Sequence, residues 1–135
     1  MKSSRDRTWS VGEVAERFDL PTNVLRHWES VGLLTPPRDS AGRRRYSRDD
    51  IARVAAIQRN KDAGMTLDQI AVLLDSGAPE RHAVLQAHLD DLEHRMEQMR
   101  ISREMTEHAY NCKAHDISGC PAFQRHLADL MAAFD

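Results

Sequence analysis

Residues 10–34 read SVGEVAERFDLPTNVLRHWESVGLL. Ser10-Val11-Gly12-Glu13 is a Ser-x-x-Glu box, in which the hydroxyl and the carboxylate satisfy amides that the first turn of a helix leaves open. Val11, Val14 and Ala15 then recur at helical spacing, which predicts a short helix ending near Phe18. Three residues on, Pro21-Thr22 restarts a helix, since proline fixes the dihedral that a first turn requires. This second helix runs through Ser30 with Val24, Leu25 and Trp28 as its inner face, and Gly32 ends it. Two short helices joined by a tight turn form a helix-turn-helix. The second helix presents Asn23, Arg26 and His27 at its N-terminal end, where a recognition helix meets base edges and phosphates. Glu29, three residues beyond Arg26, is a competing ion-pair partner for it.

Beyond this stretch, Leu33-Leu34-Thr35 and Arg44-Arg45-Tyr46 flank a turn-rich segment, Pro36 to Gly42. The pattern predicts a hairpin, or wing, from which Arg43, Arg44 and Arg45 project with Arg38 on the opposite side. Ser47-Arg48-Asp49-Asp50 opens a third helix from Arg48 to Ala63, with Ile51, Val54, Ala55 and Ile57 inward. Thr66-Leu67-Asp68-Gln69 opens a fourth to about Asp75, packing Leu67, Ile70, Leu73 and Leu74. From Glu80 the spacing changes to a heptad, Leu85, Leu89, Leu92, Met96 and Met99, set among charged and amide residues. A helix through Tyr110 rises to roughly 45 Å. It cannot bury its apolar stripe on a small domain alone, so the pattern predicts pairing with the same helix of a second subunit. The seam weakens at Arg103 and Thr106. A polar loop, 111–120, precedes Pro121, which opens a final amphipathic helix carrying Phe123, Leu127, Leu130, Met131 and Phe134. The expected fold is therefore mainly α: a winged helix-turn-helix domain with linking helices over 1–76, a dimerisation helix over 80–110, and a sensing loop with a short C-terminal helix over 111–135.

Composition agrees with this order. The chain has 135 residues, 41% hydrophobic and only 5% aromatic, with 6 Gly and 5 Pro, which favours helices over an all-β sandwich. With neither an 18-residue apolar run nor a signal core, it reads as a soluble cytoplasmic protein without a membrane partner. The net charge of −2 conceals an asymmetry. Residues 1–65 hold 13 Lys and Arg against 9 Asp and Glu, whereas residues 66–135 hold the other 6 and 12. A basic contacting half precedes an acidic half with another task. No nucleophile-base pair, glycine-rich phosphate loop or carboxylate constellation suggests an enzyme.

The run Leu25-Arg26-His27-Trp28-Glu29 with Gly32-Leu33-Leu34, followed by Pro37-Arg38, Gly42-Arg43-Arg44-Arg45-Tyr46, Asp50-Ile51 and Ala63-Gly64-Met65-Thr66-Leu67-Asp68-Gln69-Ile70, resembles the MerR family of bacterial transcription regulators. The resemblance is specific over about residues 9–75 and architectural beyond. It implies that the long helix forms an antiparallel coiled coil in a homodimer bound to double-stranded promoter DNA. It further implies that an effector shifts the dimer so that the DNA is kinked and untwisted into a form RNA polymerase can use. Arg26 and Asn23 would contact bases or nearby phosphates, and Arg44 and Tyr46 the backbone from the wing. Arg43 stands where the family's usual aromatic follows the wing glycine.

Cys112 and Cys120 are too few to staple a fold. Their Cys-x7-Cys spacing after the dimerisation helix resembles the loop by which copper-efflux regulators of the family hold a monovalent ion between two thiolates. Two thiolates suffice for a soft monovalent ion. His115 gives the loop a Cys-x2-His-x4-Cys pattern, and His82, His88 and His108 add nitrogen donors, so a zinc site is the alternative metal reading. Pro121 places Cys120 at a helix start, which favours its thiolate. A thiol oxidant is a further candidate effector. So is an organic ligand held by the apolar face of the last helix, with the cysteines incidental.

Overall fold

The computed structural model describes residues 7–113 and 116–135. The chain divides into two compact units, the first ending at Val84 and the second spanning Leu85–Asp135.

In the first unit, α1 (Val11–Arg17), α2 (Thr22–Ser30), α3 (Arg48–Asp62) and α4 (Leu67–Leu74) follow in order. The three capping boxes form as read: Ser10, Ser47 and Thr66 each accept from the backbone N–H three residues on, and the acid or amide there accepts from the cap's own N–H. The ends of α1, α2 and α3 obey one rule as well, whereas α4 ends at Asp75 in extended backbone. Asp19, Gly32 and Gly64 take positive φ (54°, 83° and 93°), and the next residue's N–H returns to the helix: Leu20 to the Ala15 carbonyl, Leu33 to Trp28 and Met65 to Asn60. This closure satisfies orphan carbonyls and delivers an apolar side chain back to the core. Leu33 and Met65 are buried, and Leu20 packs at the core's edge. At Gly32 and Gly64 the left-handed backbone costs nothing, because no Cβ crowds the carbonyl.

The wing departs from the expected hairpin. Leu33 and Leu34 are core residues and not a strand, and the arms are Pro37-Arg38 and Arg44-Arg45. Pro36 and Pro37 lack the N–H groups that a ladder needs. What forms is a bridge between Arg38 and Arg44, with the Arg45 N–H donating to the Pro37 carbonyl at 2.8 Å. A second bridge ties Trp9 to Tyr46 through two backbone hydrogen bonds, of 2.9 and 2.7 Å.

Tyr46, expected at the wing surface, is fully buried in the cluster of Trp9, Leu25, Trp28, Leu34, Val54 and Ile57. Burial pushes its phenol above the ordinary range, and among the described residues its hydroxyl has no hydrogen-bond partner. Tyr46→Phe should therefore change unfolding stability by less than about 1 kcal/mol. Tyr46→Ala, which empties the ring's volume, should cost about 3–5 kcal/mol in the same denaturant titration. A loss for Tyr46→Phe as large as for Tyr46→Ala would show that the hydroxyl, not the ring, holds the site.

α5 (Arg81–Asn111) is one continuous helix of 31 residues, reaching the end expected from the heptad. In the second unit it is followed by a 3-10 turn (Ile117–Gly119), α6 (Pro121–Arg125), α7 (Ala128–Met131) and a last 3-10 turn (Ala132–Phe134). The expected single C-terminal helix is thus broken. The N–H groups of His126 and Leu127 reach back only three residues, to Phe123 and Gln124. That tighter winding ends the α-helical register before Leu130.

Candidate nucleic-acid interface and metal centre

α2 carries Asn23, Arg26 and His27 exposed on one side, with Leu25 and Trp28 sunk in the core on the other. Opposite lies the wing, whose turn is built by Asp39: its carboxylate accepts from the Ala41 and Arg43 N–H groups at 2.9 and 3.0 Å. These bonds, that to Arg43 foremost, hold the Asp39 carboxyl below its usual range. Recognition helix and wing enclose a groove of about 380 Å³ lined by Arg26, Arg38, Arg43, Arg44 and Arg45, with Ser10 at its edge. Arginines up to 19 positions apart in the chain thus line one space.

The arginines are not equivalent. Glu29 ion-pairs with Arg44, and Arg38 approaches the same carboxylate at 3.7 Å, so α2 is clamped to the wing by a single half-buried acid. The competing pair that spacing allowed, Arg26 with Glu29, is not among the ion pairs of the described residues. Arg45 is held by Thr8, donating to its hydroxyl at 3.0 Å and its carbonyl at 3.1 Å. Of the three consecutive arginines only Arg43 stands largely in solvent, 80% exposed at its side chain, with Asp39 at 3.8 Å. A run that reads as uniform in sequence is therefore two tethered cations and one available.

Along α5 the described residues include none that is buried. Leu89, Met96 and Met99 are 59%, 64% and 71% exposed, with Leu85 and Leu92 half-exposed on the same stripe. The flanks are occupied by pairs along the helix, Arg95 with Asp91 and Arg100 with Glu97 and Glu104, while Arg103, at the seam position after Met99, pairs with Glu107.

At the far end of α5, three donors come together. Cys112 follows the last helical residue, and its N–H donates to the His108 carbonyl at 2.8 Å, so the two side chains share a face at i, i+4 spacing. Cys120 returns from the loop, and its Sγ lies 3.2 Å from His108 Nε2. The ligand atoms of His108, Cys112 and Cys120 all lie within 4.8 Å of one another. Phe123 backs the imidazole, with ring centroids 6.4 Å apart. His115, the expected nitrogen donor, lies outside the described residues. Among the described residues the nitrogen donor is His108, one of the three further histidines the sequence offers, at His-x3-Cys spacing from Cys112 at the helix end. Neither cysteine is in a disulfide.

The Phe123 N–H, followed by His108, holds the Cys120 thiol down to about 7. Because a thiol reacts as its thiolate, the alkylation rate of Cys120 in metal-free protein should rise through a midpoint near pH 7, below the ordinary thiol value of about 8.5. Peptide mapping after iodoacetamide treatment reads this directly. A midpoint at the ordinary value would show that these bonds do not reach the sulfur.

Two family models match the chain: the MerR HTH family regulatory protein over residues 9–77, and the MerR DNA-binding family over residues 51–108. The chain belongs to the MerR family. It is a DNA-binding transcription regulator, in keeping with a groove where recognition helix and wing converge. A MerR relative, the HTH-type transcriptional regulator HmrR of Rhizobium leguminosarum bv. viciae, is 25% identical over 122 residues, covering 85% of this chain and 95% of its own. Among solved structures, the MerR regulator HiNmlR bound to promoter DNA aligns with a TM-score of 0.66 at 22% identity, over 77% of this chain and 88% of that one. The transcription regulator PbrR691 from Ralstonia metallidurans CH34 in complex with lead(II) aligns with a TM-score of 0.51 at 28% identity, over 87% of this chain and 98% of that one. No helix among the described residues is long and apolar enough to cross a membrane.

Proposed function

We propose that this MerR-family chain works as a homodimer on promoter DNA and that Cys112 and Cys120 receive its effector, a soft metal ion. The observation that carries the reading is the convergence of two sulfurs from separate segments, helix end and loop, within ligand distance of each other and of His108. Thiolates select soft cations over the abundant hard ones, because a hard ion keeps its water and oxygen ligands. The solved lead(II) complex of a 28% identical relative supports a metal effector on this fold. An organic effector finds less support, since the apolar face expected of one continuous C-terminal helix is divided between α6 and α7.

On DNA, the wing and α2 engage each half-site, with Arg26 and Asn23 toward base edges and nearby phosphates, and His27, Arg38 and Arg43 toward the backbone. Arg44 and Arg45 contribute field and wing geometry from their tethered positions. Effector binding converts the dimer to a form that bends and untwists the spacer. The deformation costs a few kcal/mol, offset by contacts made only on distorted DNA. RNA polymerase then meets promoter elements in usable phase.

Elemental analysis of anaerobically purified protein, paired with a promoter reporter challenged by thiophilic ions, tests the sensor. The wild type should hold metal and respond. The Cys112→Ser/Cys120→Ser chain should bind the operator normally, hold none and stay silent. A full response from that double variant would overturn the assignment.

A further inference from the structure

We propose that His108 is a third protein ligand beside Cys112 and Cys120, making a Cys2His site suited to a divalent ion of zinc's class. This rests on the reading of the two cysteines as the sensor pair and adds to it a donor and an ion charge.

The geometry is close to what such an ion requires. Zinc-sulfur bonds of about 2.3 Å and zinc-nitrogen bonds of about 2.0 Å at tetrahedral angles put S and N about 3.5 Å apart. His108 Nε2 and Cys120 Sγ are 3.2 Å apart without an ion, so they need to open by only a few tenths of an ångström. Two sulfurs on a tetrahedral ion lie about 3.8 Å apart, and all three ligand atoms here lie within 4.8 Å of one another, so closing on an ion takes a shift of at most about 1 Å. The bite of His108 and Cys112 is set by the last turn of α5, whose closing bond runs between their own backbones at 2.8 Å. Phe123 limits the imidazole's swing from the other side. The group is therefore two preset donors on a helix and one brought by the loop.

Charge argues for the divalent class. Two thiolates and a neutral imidazole carry two negative charges, which a divalent ion cancels and a monovalent ion leaves half uncompensated at a half-buried site. A monovalent soft ion is content with two thiolates, and an imidazole at ligand distance adds nothing it requires. A borderline divalent ion takes nitrogen and sulfur together, with three protein ligands and a fourth position for water or a further donor.

The test uses the full chain, metal-free and anaerobic, titrated with Zn(II) and with Cu(I), each against a competing chelator, and with Co(II) as a spectroscopic stand-in for zinc. His108→Ala should weaken Zn(II) binding by about 100-fold or more and strip the tetrahedral Co(II) absorption, while Cu(I) affinity stays within about threefold. His108→Asn should behave likewise, which separates lost ligation from a disturbed helix, and His94→Ala on the same helix should change nothing. Unchanged Zn(II) binding in His108→Ala overturns the third ligand and leaves the two-thiolate sensor standing. Equal loss of both ions would show a structural role and overturn it too. Failure of the wild type to bind either ion would remove the sensor reading beneath it.

Discussion

A chain carrying Leu89→Glu and Met96→Glu should run as a monomer and lose operator affinity by about a thousandfold or more. α5 has no buried residue among those described, yet five apolar side chains fall on one stripe at heptad spacing, three of them more than half exposed. Each large apolar side chain gains about 1.5–3 kcal/mol when fully covered. The pairs of Arg95 with Asp91 and of Arg100 with Glu97 and Glu104 keep the flanks polar, so the stripe is bounded by charge. In the proposed homodimer a second copy of α5 supplies the matching stripe. Two glutamates per chain put four carboxylates into that seam, and an unpaired charge taken out of water costs several kcal/mol. Without the dimer each winged unit meets a single half-site, and the phosphate and base contacts of the second are lost from the affinity. Sedimentation and a gel shift on the same preparations read the two effects. A variant that stays dimeric and binds fully would mean that subunits meet elsewhere than on α5.

The first unit was largely legible because its signals are local. Ser10, Ser47 and Thr66 announce helix starts within three residues, and each box forms. Gly32 and Gly64 announce stops. What escaped a linear reading were contacts that close over distance. Glu29 turns to Arg44, 15 residues on, because the wing folds back over α2, whereas a helical i, i+3 rule points it to Arg26. Tyr46 reads as a wing residue by position, but the bridge to Trp9 turns it into core. In the cysteine cluster the Cys-x7-Cys spacing pairs the sulfurs, and among the described residues the nitrogen beside them is His108 at the helix end, which spacing alone ranks no higher than the other histidines. In the C-terminal segment the apolar spacing was real, but periodicity does not report a turn that tightens at His126 and Leu127.

Three single substitutions should separate reading from holding at the DNA face. If Arg26 reads a base as proposed, Arg26→Ala should cost about 1–3 kcal/mol of operator discrimination at each half-site, hence roughly twice that for a dimer, while the phosphate contacts persist. Arg43→Ala should weaken operator and random DNA alike and lower the salt dependence by about one counterion per chain, since Arg43 is the wing cation left in solvent. The informative variant is Glu29→Gln. It removes the carboxylate that Arg44 and Arg38 share, so two guanidiniums gain freedom to meet phosphate and the groove becomes more positive by one charge. If Glu29 merely neutralised charge, both specific and non-specific binding would tighten together. Because it also fixes the wing against α2, Glu29→Gln should tighten binding to random DNA while narrowing the preference for operator. A salt titration on both DNAs distinguishes the two. Parallel tightening would show that the acid only lowers the field, and that the wing's position is held by Thr8, Asp39 and the Trp9–Tyr46 bridge instead.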